Sequence, residues 1–103
     1  MLDPRQLKEQ IRRVQEEVQR AQEDIAAMTV IGYAAGSSIQ IEIGGDQQCR
    51  SVRISPLVVD ADEVERLEEL MLLAINDALT KIQDATAERM NEVTGGMDLP
   101  DLM

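Results

Sequence analysis

The apolar residues at the start of the chain recur in alternating steps of four and three, and this spacing constrains the fold more than any other feature. The series is Leu7, Ile11, Val14, Val18, Ala21, Ile25 and Met28. A heptad seam of this kind is narrower than the apolar face of an ordinary core helix and is typical of helices that pair with another helix. Asp3 can cap the helix and Pro4 suits its first turn. The pattern predicts a long first helix from about Pro4 to Ala27.

The apolar period changes to two residues after this helix, which is the pattern of half-buried β-strands. The central strand is marked by three isoleucines that alternate with polar residues: Ile39, Ile41 and Ile43. Thr29–Ala34 and Cys49–Ile54 are the predicted neighbouring strands. Because the connections between the three strands are short, they favour an antiparallel sheet.

Turn residues separate the predicted strands. Ala35-Gly36 ends the first strand, and Gly44-Gly45-Asp46 offers glycines that can adopt the positive φ of a hairpin turn. Ser55-Pro56 ends the third strand, because proline cannot continue a hydrogen-bonded ladder. We expect Val52 and Ile54 of this third strand to face the core.

A second, longer helical pattern follows, opened by Asp60–Glu63 and running to about Val93, where Gly95-Gly96 would stop it. Its apolar stripe is Val64, Leu67, Met71, Ala74, Ala78, Ile82 and Ala85, widened by Leu70, Ile75 and Leu79. The sequence thus predicts one α+β domain over residues 1–96, with an α-β-β-β-α element order. Residues 97–103 are expected to form a flexible C-terminal tail.

The predicted helices are longer than the predicted sheet. Helices of these lengths measure about 36 and 50 Å, whereas strands of five to seven residues span only about 17–23 Å. Because both helices overhang the sheet and keep an apolar seam, we expect a two-fold homodimer with projecting helical arms. The residues assigned to dimer or arm packing are Leu7, Ile11, Val14, Val18, Ile39, Ile41, Ile43, Leu70 and Ile75.

Composition argues against an enzyme. The chain has no His and a single Cys, so His-based catalysis and the common zinc or iron–sulfur sites are excluded. No phosphate-binding loop is present, and we expect neither a metal nor a cofactor. No apolar run approaches the roughly 18 residues of a membrane span, so we expect a cytoplasmic protein that does not contact membranes.

Charge is distributed unevenly along the chain, whose net charge is −10. Residues 1–56 carry seven basic and eight acidic residues, whereas residues 57–103 carry three basic and twelve acidic residues. The basic residues form a helical cluster and a strand cluster: Arg5, Lys8, Arg12, Arg13 and Arg20, and Arg50 and Arg53. A solvated helix face explains such clusters, and so does contact with duplex phosphates, because non-specific DNA binding needs only a restricted basic face.

Several segments in order resemble the YbaB/EbfC family of bacterial nucleoid-associated proteins. They are Ile25-Ala26-Ala27-Met28, Gly32 through Gly36, the Gly44-Gly45 turn, Val52-Arg53-Ile54-Ser55-Pro56, Leu67 through Ala78, and Met90 with Thr94-Gly95-Gly96. The resemblance implies an α-β-β-β-α subunit, a tweezer-like homodimer, and binding of double-stranded DNA with low sequence specificity. It also implies a place in the nucleoid and a role in nucleoid organisation or gene regulation.

A second interpretation stays open. The acidic second helix and the apolar grooves could bind a protein partner, in which case the chain would be a dimeric interaction scaffold with weak or no DNA binding.

Overall fold

The computed structural model describes residues 3–96, which form two helices and three strands. The elements in chain order are α1 (Pro4–Ala27), β1 (Thr29–Ala34), β2 (Ile39–Gly44), β3 (Cys49–Ile54), a single 3₁₀ turn (Pro56–Val58) and α2 (Val64–Gly96). The α-β-β-β-α order predicted from the sequence is confirmed. The predicted flexible tail, residues 97–103, lies outside the described residues.

Helix α1 begins with the cap that its sequence predicts. The side chain of Asp3 accepts a hydrogen bond from the backbone of Arg5, and the side chain of Gln6 accepts one from the backbone of Asp3 at 3.2 Å. Pro4 occupies the first turn, where no N–H is needed. At the other end, the Met28 N–H donates to the Ile25 carbonyl, and Met28 continues in extended conformation into β1.

The three strands form one antiparallel sheet in the order β1-β2-β3. Gly32 of β1 lies opposite Ile41 of β2, and Ile41 in turn lies opposite Val52 of β3. A bulge interrupts the second pair at Glu42/Ile43. In this sheet β1 and β3 are therefore edge strands, and β2 is the central strand.

The core lies between α2 and one face of the sheet. Ile39 and Ile41 of β2 are fully buried there, together with Ala74 and Ala78 of α2. Burying an isoleucine side chain stabilises a fold by about 2–3 kcal/mol, so β2 and the alanines above it dominate this small core. Gly32 of β1 has no side chain, so the backbone of α2 at Ala74 and Ala78 can pack directly against this strand.

Two side chains of α2 reach the outer edge of β1. The carboxylate of Asp77 accepts a hydrogen bond from the Tyr33 N–H at 2.9 Å, and the ammonium of Lys81 donates to the Ile31 carbonyl at 2.9 Å. Lys81 also pairs with Asp77 and lies 4.7 Å from the centre of the Tyr33 ring. These contacts, which we call the edge clamp, satisfy backbone groups that an edge strand would otherwise present to another chain.

The edge clamp should make stability depend on acid pH. The backbone hydrogen bond from Tyr33, followed by the contact with Lys81, holds the pKa of Asp77 below its ordinary value of 3.8. Because the folded-state pKa is lowered, this contribution is fully present above pH 3.8 and is lost as pH falls through the lowered pKa. Asp77→Asn should flatten the loss of stability in this acidic range, measured as the urea midpoint from about pH 2 to pH 6. Asp84→Asn removes one charge from the same helix without touching the clamp, so an equal flattening there would contradict the assignment.

The hairpin turn between β2 and β3 differs from the prediction. Positive φ is adopted by Gln47, at 64°, and not by Gly44 or Gly45. Glycine is needed at position 45 for space, since a Cβ there would overlap the backbone carbonyl of Ile25; a Cβ on Gly44 would meet only the ends of the Arg50 and Asp46 side chains, which can move aside. The turn therefore packs directly against the C-terminal end of α1.

The ends of α2 also differ from the prediction. Asp60 opens a turn instead of the helix itself, because its carboxylate accepts the Asp62 N–H at 2.9 Å and its carbonyl accepts the Glu63 N–H at 3.0 Å. The helix begins at Val64, four residues after Asp60, and continues through Gly95 to Gly96. The predicted end near Val93 was therefore too early, and Gly95 takes helical backbone geometry.

Candidate nucleic-acid interface

Helix α1 pairs with the end of α2 and then continues past it. The Arg89 guanidinium contacts the Asp24 carboxylate at 2.9 Å, whereas Lys81 lies at the level of Ile31, so the two helices run antiparallel. Seven residues after Arg89, Gly96 therefore lies level with about residue 17 of α1, given equal rise along both helices. We call residues 4–17 of α1 the arm, because they extend beyond the described end of α2.

The arm has a positive charge on an otherwise acidic protein. From position 5 to position 13 it carries four cationic residues and one acidic residue, a balance of +3, against a net charge of −10 for the whole chain. Arg12 is held by Glu9 at 2.9 Å and by Glu16 at 3.8 Å. Within residues 3–96, no ion pair engages the other predicted cations of α1: Arg5, Lys8, Arg13 and Arg20.

The structure does not bring the two predicted basic residues of β3 to the arm. Arg50 contacts Asp46 at 3.1 Å and donates to the Ala26 carbonyl at 3.5 Å, so it braces the hairpin turn against the end of α1. Ala26 and Arg13 are separated by about 20 Å along the helix. Arg53 lies opposite Gln40, at the end of the sheet remote from α1.

The apolar seam of α1 is buried near the sheet and open on the arm. Ala21 and Ile25 are buried, and Val14 and Val18 are partly buried. Further along the arm, Leu7 and Ile11 are 50% and 49% exposed. The seam thus reaches beyond the contact with α2 that buries its other half.

Other predicted packing residues lie within the subunit. Ile39, Ile41 and Ile43 form the buried core, and Leu70 packs against that core from α2. Ile75, by contrast, remains partly open to solvent.

Strand β3 is not covered by α2. Val52 and Ile54, which were expected to face the core, lie on the same face of the sheet as Ile41 and Ile39, but they are 49% and 39% exposed and are not part of the buried core. Helix α2 packs across β1 and β2 and stops short of β3. An apolar strip of the sheet is therefore left open beside the helix.

Helix α2 presents further apolar residues on the side of this strip. With about 3.6 residues per turn, Asp77 and Lys81 lie on one flank of the buried stripe, and Ile75 and Leu79 lie on the other. Because the edge clamp fixes the first flank over β1, the second flank faces β3. We call the exposed apolar surface formed by Val52, Ile54, Ile75 and Leu79 the β3 groove. Sequence periodicity found its helical residues but could not show which strand α2 would leave uncovered.

The described part of the chain contains neither a metal-binding cluster nor a membrane-spanning helix. No group of three or more acidic or Cys side chains is placed to hold a metal ion. Neither helix, within residues 3–96, is long and apolar enough to cross a membrane.

Comparison with known families decides where this fold belongs. The model of the YbaB/EbfC DNA-binding family matches residues 1–97. The chain belongs to the YbaB/EbfC DNA-binding family. The resemblance noted in the sequence is thus confirmed over nearly the whole chain.

Relatives within the YbaB/EbfC family agree in length as well as sequence. A nucleoid-associated protein of Chloroflexus aurantiacus is 43% identical over 96 residues, which cover 93% of this chain and 96% of the relative. A nucleoid-associated protein of Desulfotalea psychrophila is 32% identical over 101 residues, covering 98% and 95%. An uncharacterized protein from Helicobacter pylori has the same fold, with a TM-score of 0.73 at 13% identity, over 91% of this chain and 99% of that one.

Proposed function

We infer that this protein binds double-stranded DNA as a homodimer, with low sequence specificity, and serves nucleoid organisation or gene regulation. The observation that carries the proposal is the arm, a projecting helix whose positions 5–13 have a balance of +3 on a chain of net charge −10. Membership of a DNA-binding family and the names of its nucleoid-associated relatives support it.

The proposed binding is electrostatic. Cations that project from a helix can contact phosphates without reading base edges, which gives affinity but little sequence preference. The single aromatic residue, Tyr33, is engaged with Lys81, so base stacking contributes little. The acidic surface elsewhere repels the duplex and directs it to the arms.

The homodimer supplies two arms. A second copy can place its own α2 flank in the β3 groove, because the groove is an open apolar strip beside an apolar helix flank and is thus complementary to itself. Under a two-fold axis each interface residue is used twice, and each duplex meets two cationic arms. The proposed phosphate contacts are Arg5, Lys8, Arg12, Arg13 and Arg20. Phosphate contact by Arg50 and Arg53, which lie far from the tip of the arm, stays a prediction.

A change of one arm cation tests the DNA proposal. Arg13→Glu should weaken duplex binding by about tenfold at low salt and flatten the salt dependence of affinity, because each arm loses a phosphate contact. Fluorescence anisotropy with a duplex of about 30 base pairs, at several salt concentrations, measures both effects. Arg12→Glu added to the same chain should extend the loss.

The matched control is Arg66→Glu, which makes the same charge change on the exposed N-terminal part of α2. It should bind nearly as well as the unchanged protein. Equal losses in the two variants would show that net charge alone governs binding and would remove the arm from the site.

A scaffold function is the second candidate, favoured by the exposed Leu57 and Leu73 outside the β3 groove. The acidic α2 would then bind a protein partner. A pull-down with the dimer as bait, treated with nuclease, distinguishes the two functions. Partners that survive nuclease, together with no duplex binding at low salt, would favour the scaffold.

A further inference from the structure

The direction of the arm depends on how the last two turns of α1 are held. Ala21 and Ile25 are buried there, whereas every residue of the arm from Pro4 to Arg13 is exposed. Asp24 and Pro4 are about 30 Å apart along the helix, so a tilt of about 10° at Asp24 would displace the tip by about 5 Å. This displacement is longer than a charge-assisted hydrogen bond, so such a tilt would separate arm cations from phosphates.

One attachment of α1 lies at its C-terminal end. The Gly45 N–H donates to the Met28 carbonyl at 2.9 Å, and the Arg50 guanidinium donates to the Ala26 carbonyl at 3.5 Å. Both donors belong to the hairpin between β2 and β3, and both acceptors lie at the same end of α1. Attachment at one end fixes the position of that end but leaves the direction of the helix open. A second attachment further along α1 is needed to fix the direction.

The second attachment is an ion pair with α2. The Arg89 guanidinium contacts the Asp24 carboxylate of α1 at 2.9 Å and the Glu92 carboxylate of α2 at 3.4 Å. Within residues 3–96, no other ion pair joins the two helices, and the Arg89 side chain, at 23%, is the least exposed of those in ion pairs. A guanidinium has donors on separate nitrogens and can therefore hold two carboxylates at once. We call this three-residue contact the ion bridge.

The contact between the helices has little else to resist a tilt. Val93 lies one turn beyond Arg89, and Ala21 lies about one turn before Asp24, so these two buried side chains are level with each other. Both are small and bury little apolar area. Without the guanidinium, Asp24 and Glu92 would also be left as two like charges on neighbouring helices, and they would repel each other.

We propose that Arg89 is the positioning residue of the arm. By joining Asp24 to Glu92, it holds α1 at the angle at which the arm cations meet duplex phosphates. Arg89 does not itself contact the duplex, because its guanidinium is engaged by two carboxylates. The effect on DNA rests on the function proposed above, whereas the effect on the direction of α1 does not.

Distances between spin labels test the direction of the arm without DNA. In a Cys49→Ser background, labels are placed on Gln10→Cys of the arm and on Asn91→Cys, which lies on the face of α2 turned away from α1. Excess unlabelled protein removes distances between subunits. Arg89→Met should shift or broaden the distance distribution by about 3 Å or more, because a tilt of about 10° at the C-terminal end of α1 moves position 10 by about 5 Å.

Two variants are compared with this change. Arg66→Met removes the same charge from α2, but its ion pair with Glu63 does not involve α1, so the distribution should stay unchanged. Arg89→Lys keeps the charge and should restore part of the original distribution. A partly exposed ion pair adds little to overall stability, so circular dichroism should show that all these proteins remain helical.

Duplex titration tests the consequence for DNA with a change whose charge effect has the opposite sign. Asp24→Asn makes the chain less acidic, so net charge alone would raise duplex affinity. Loss of the ion bridge should instead lower the affinity by about threefold at low salt, as expected when the arm is correctly oriented for about a third of the time. Glu23→Gln makes the same charge change at an exposed neighbouring position outside the ion bridge, and it should raise affinity slightly.

The possible failures give different patterns. Equal distance distributions for Arg89→Met and the unchanged protein would overturn the positioning role. Should Arg89→Met not fold, Asp24→Asn with the same labels gives the same test, because the Asp24 side chain is half exposed. Equal gains in affinity from Asp24→Asn and Glu23→Gln would overturn the effect on DNA. A distance change without duplex binding by any protein, the unchanged one included, would reject the DNA function and retain the positioning of α1.

Discussion

Leu79→Asp should convert the homodimer into monomers and weaken self-association by about a hundredfold or more. Leu79 lies on the flank of α2 that faces the β3 groove and is 38% exposed in the single subunit. In the proposed dimer this side chain enters an apolar interface, where an unpaired carboxylate costs about 3 kcal/mol or more. Because a two-fold interface contains the residue twice, the two penalties act together. Each 1.4 kcal/mol corresponds to about tenfold in affinity.

The same helix offers a matched control. Leu73 is 61% exposed and lies on the flank of α2 turned away from the groove. Leu73→Asp makes the identical chemical change and should leave the dimer intact. Mass in solution, measured by sedimentation over a concentration series, distinguishes the variants, and circular dichroism shows that both remain helical.

Two outcomes would count against this interface. If Leu79→Asp remains dimeric, the second copy does not use the groove. If Leu73→Asp dissociates and Leu79→Asp does not, the opposite flank of α2 is the interface. A monomeric Leu79→Asp protein should also bind duplex more weakly, because only one arm is then available to each duplex.

Gly32→Ala should lower the free energy of unfolding by about 3 kcal/mol. A Cβ at this position would overlap the backbone carbonyl of Ala74 and the backbone nitrogen of Ala78, and would lie 2.7 Å from the Ala78 Cβ. Helix backbone cannot move aside as a flexible side chain can, so α2 must lift from β1 and loosen the core beneath it. The shift should also lengthen the hydrogen bonds of the edge clamp.

Gly95→Ala is the control for this change. A Cβ on Gly95 meets no atom of residues 3–96 within 4 Å outside its own turn of helix, and the residue lies in α2. Alanine should therefore stabilise the helix by about 0.5–1 kcal/mol instead of weakening it. Urea denaturation of both variants at one protein concentration measures the two effects. A Gly32→Ala protein as stable as the unchanged one would show that α2 does not approach β1 this closely.

Local patterns in the sequence were sufficient to predict the order of helices and strands. The seam from Leu7 to Met28 and the alternation of Ile39 to Ile43 report the helix and the strand directly, because burial of one face imposes their spacing. The cap at Asp3 is likewise a short-range signal. The arm cations could be named from the sequence for the same reason, since they lie close together on one helix.

Features that depend on distant contacts had no such signal. Asp77 and Tyr33 are 44 positions apart, and Lys81 and Ile31 are 50 apart, so the edge clamp follows only from the way α2 crosses the sheet. The exposure of Val52 depends in the same way on the lateral position of α2. The role of Gly45 was misread because the carbonyl of Ile25, which is remote in sequence, leaves no room for a Cβ at this position, whereas the positive φ of the turn is adopted by Gln47.

The two edge strands of the sheet differ in whether α2 side chains occupy their outer backbone groups, and this difference limits how many copies can associate through the sheet. Asp77 and Lys81 occupy the hydrogen-bonding groups on the outer side of β1, whereas β3 has no helix above it. Of the two sheet edges, only that of β3 is left open to another copy, so two subunits that met there would leave no further open edge. In the proposed homodimer, sheet-to-sheet association would therefore stop at two copies. If the edge clamp opened, β1 would become a second open sheet edge, and dimers could then join into longer assemblies.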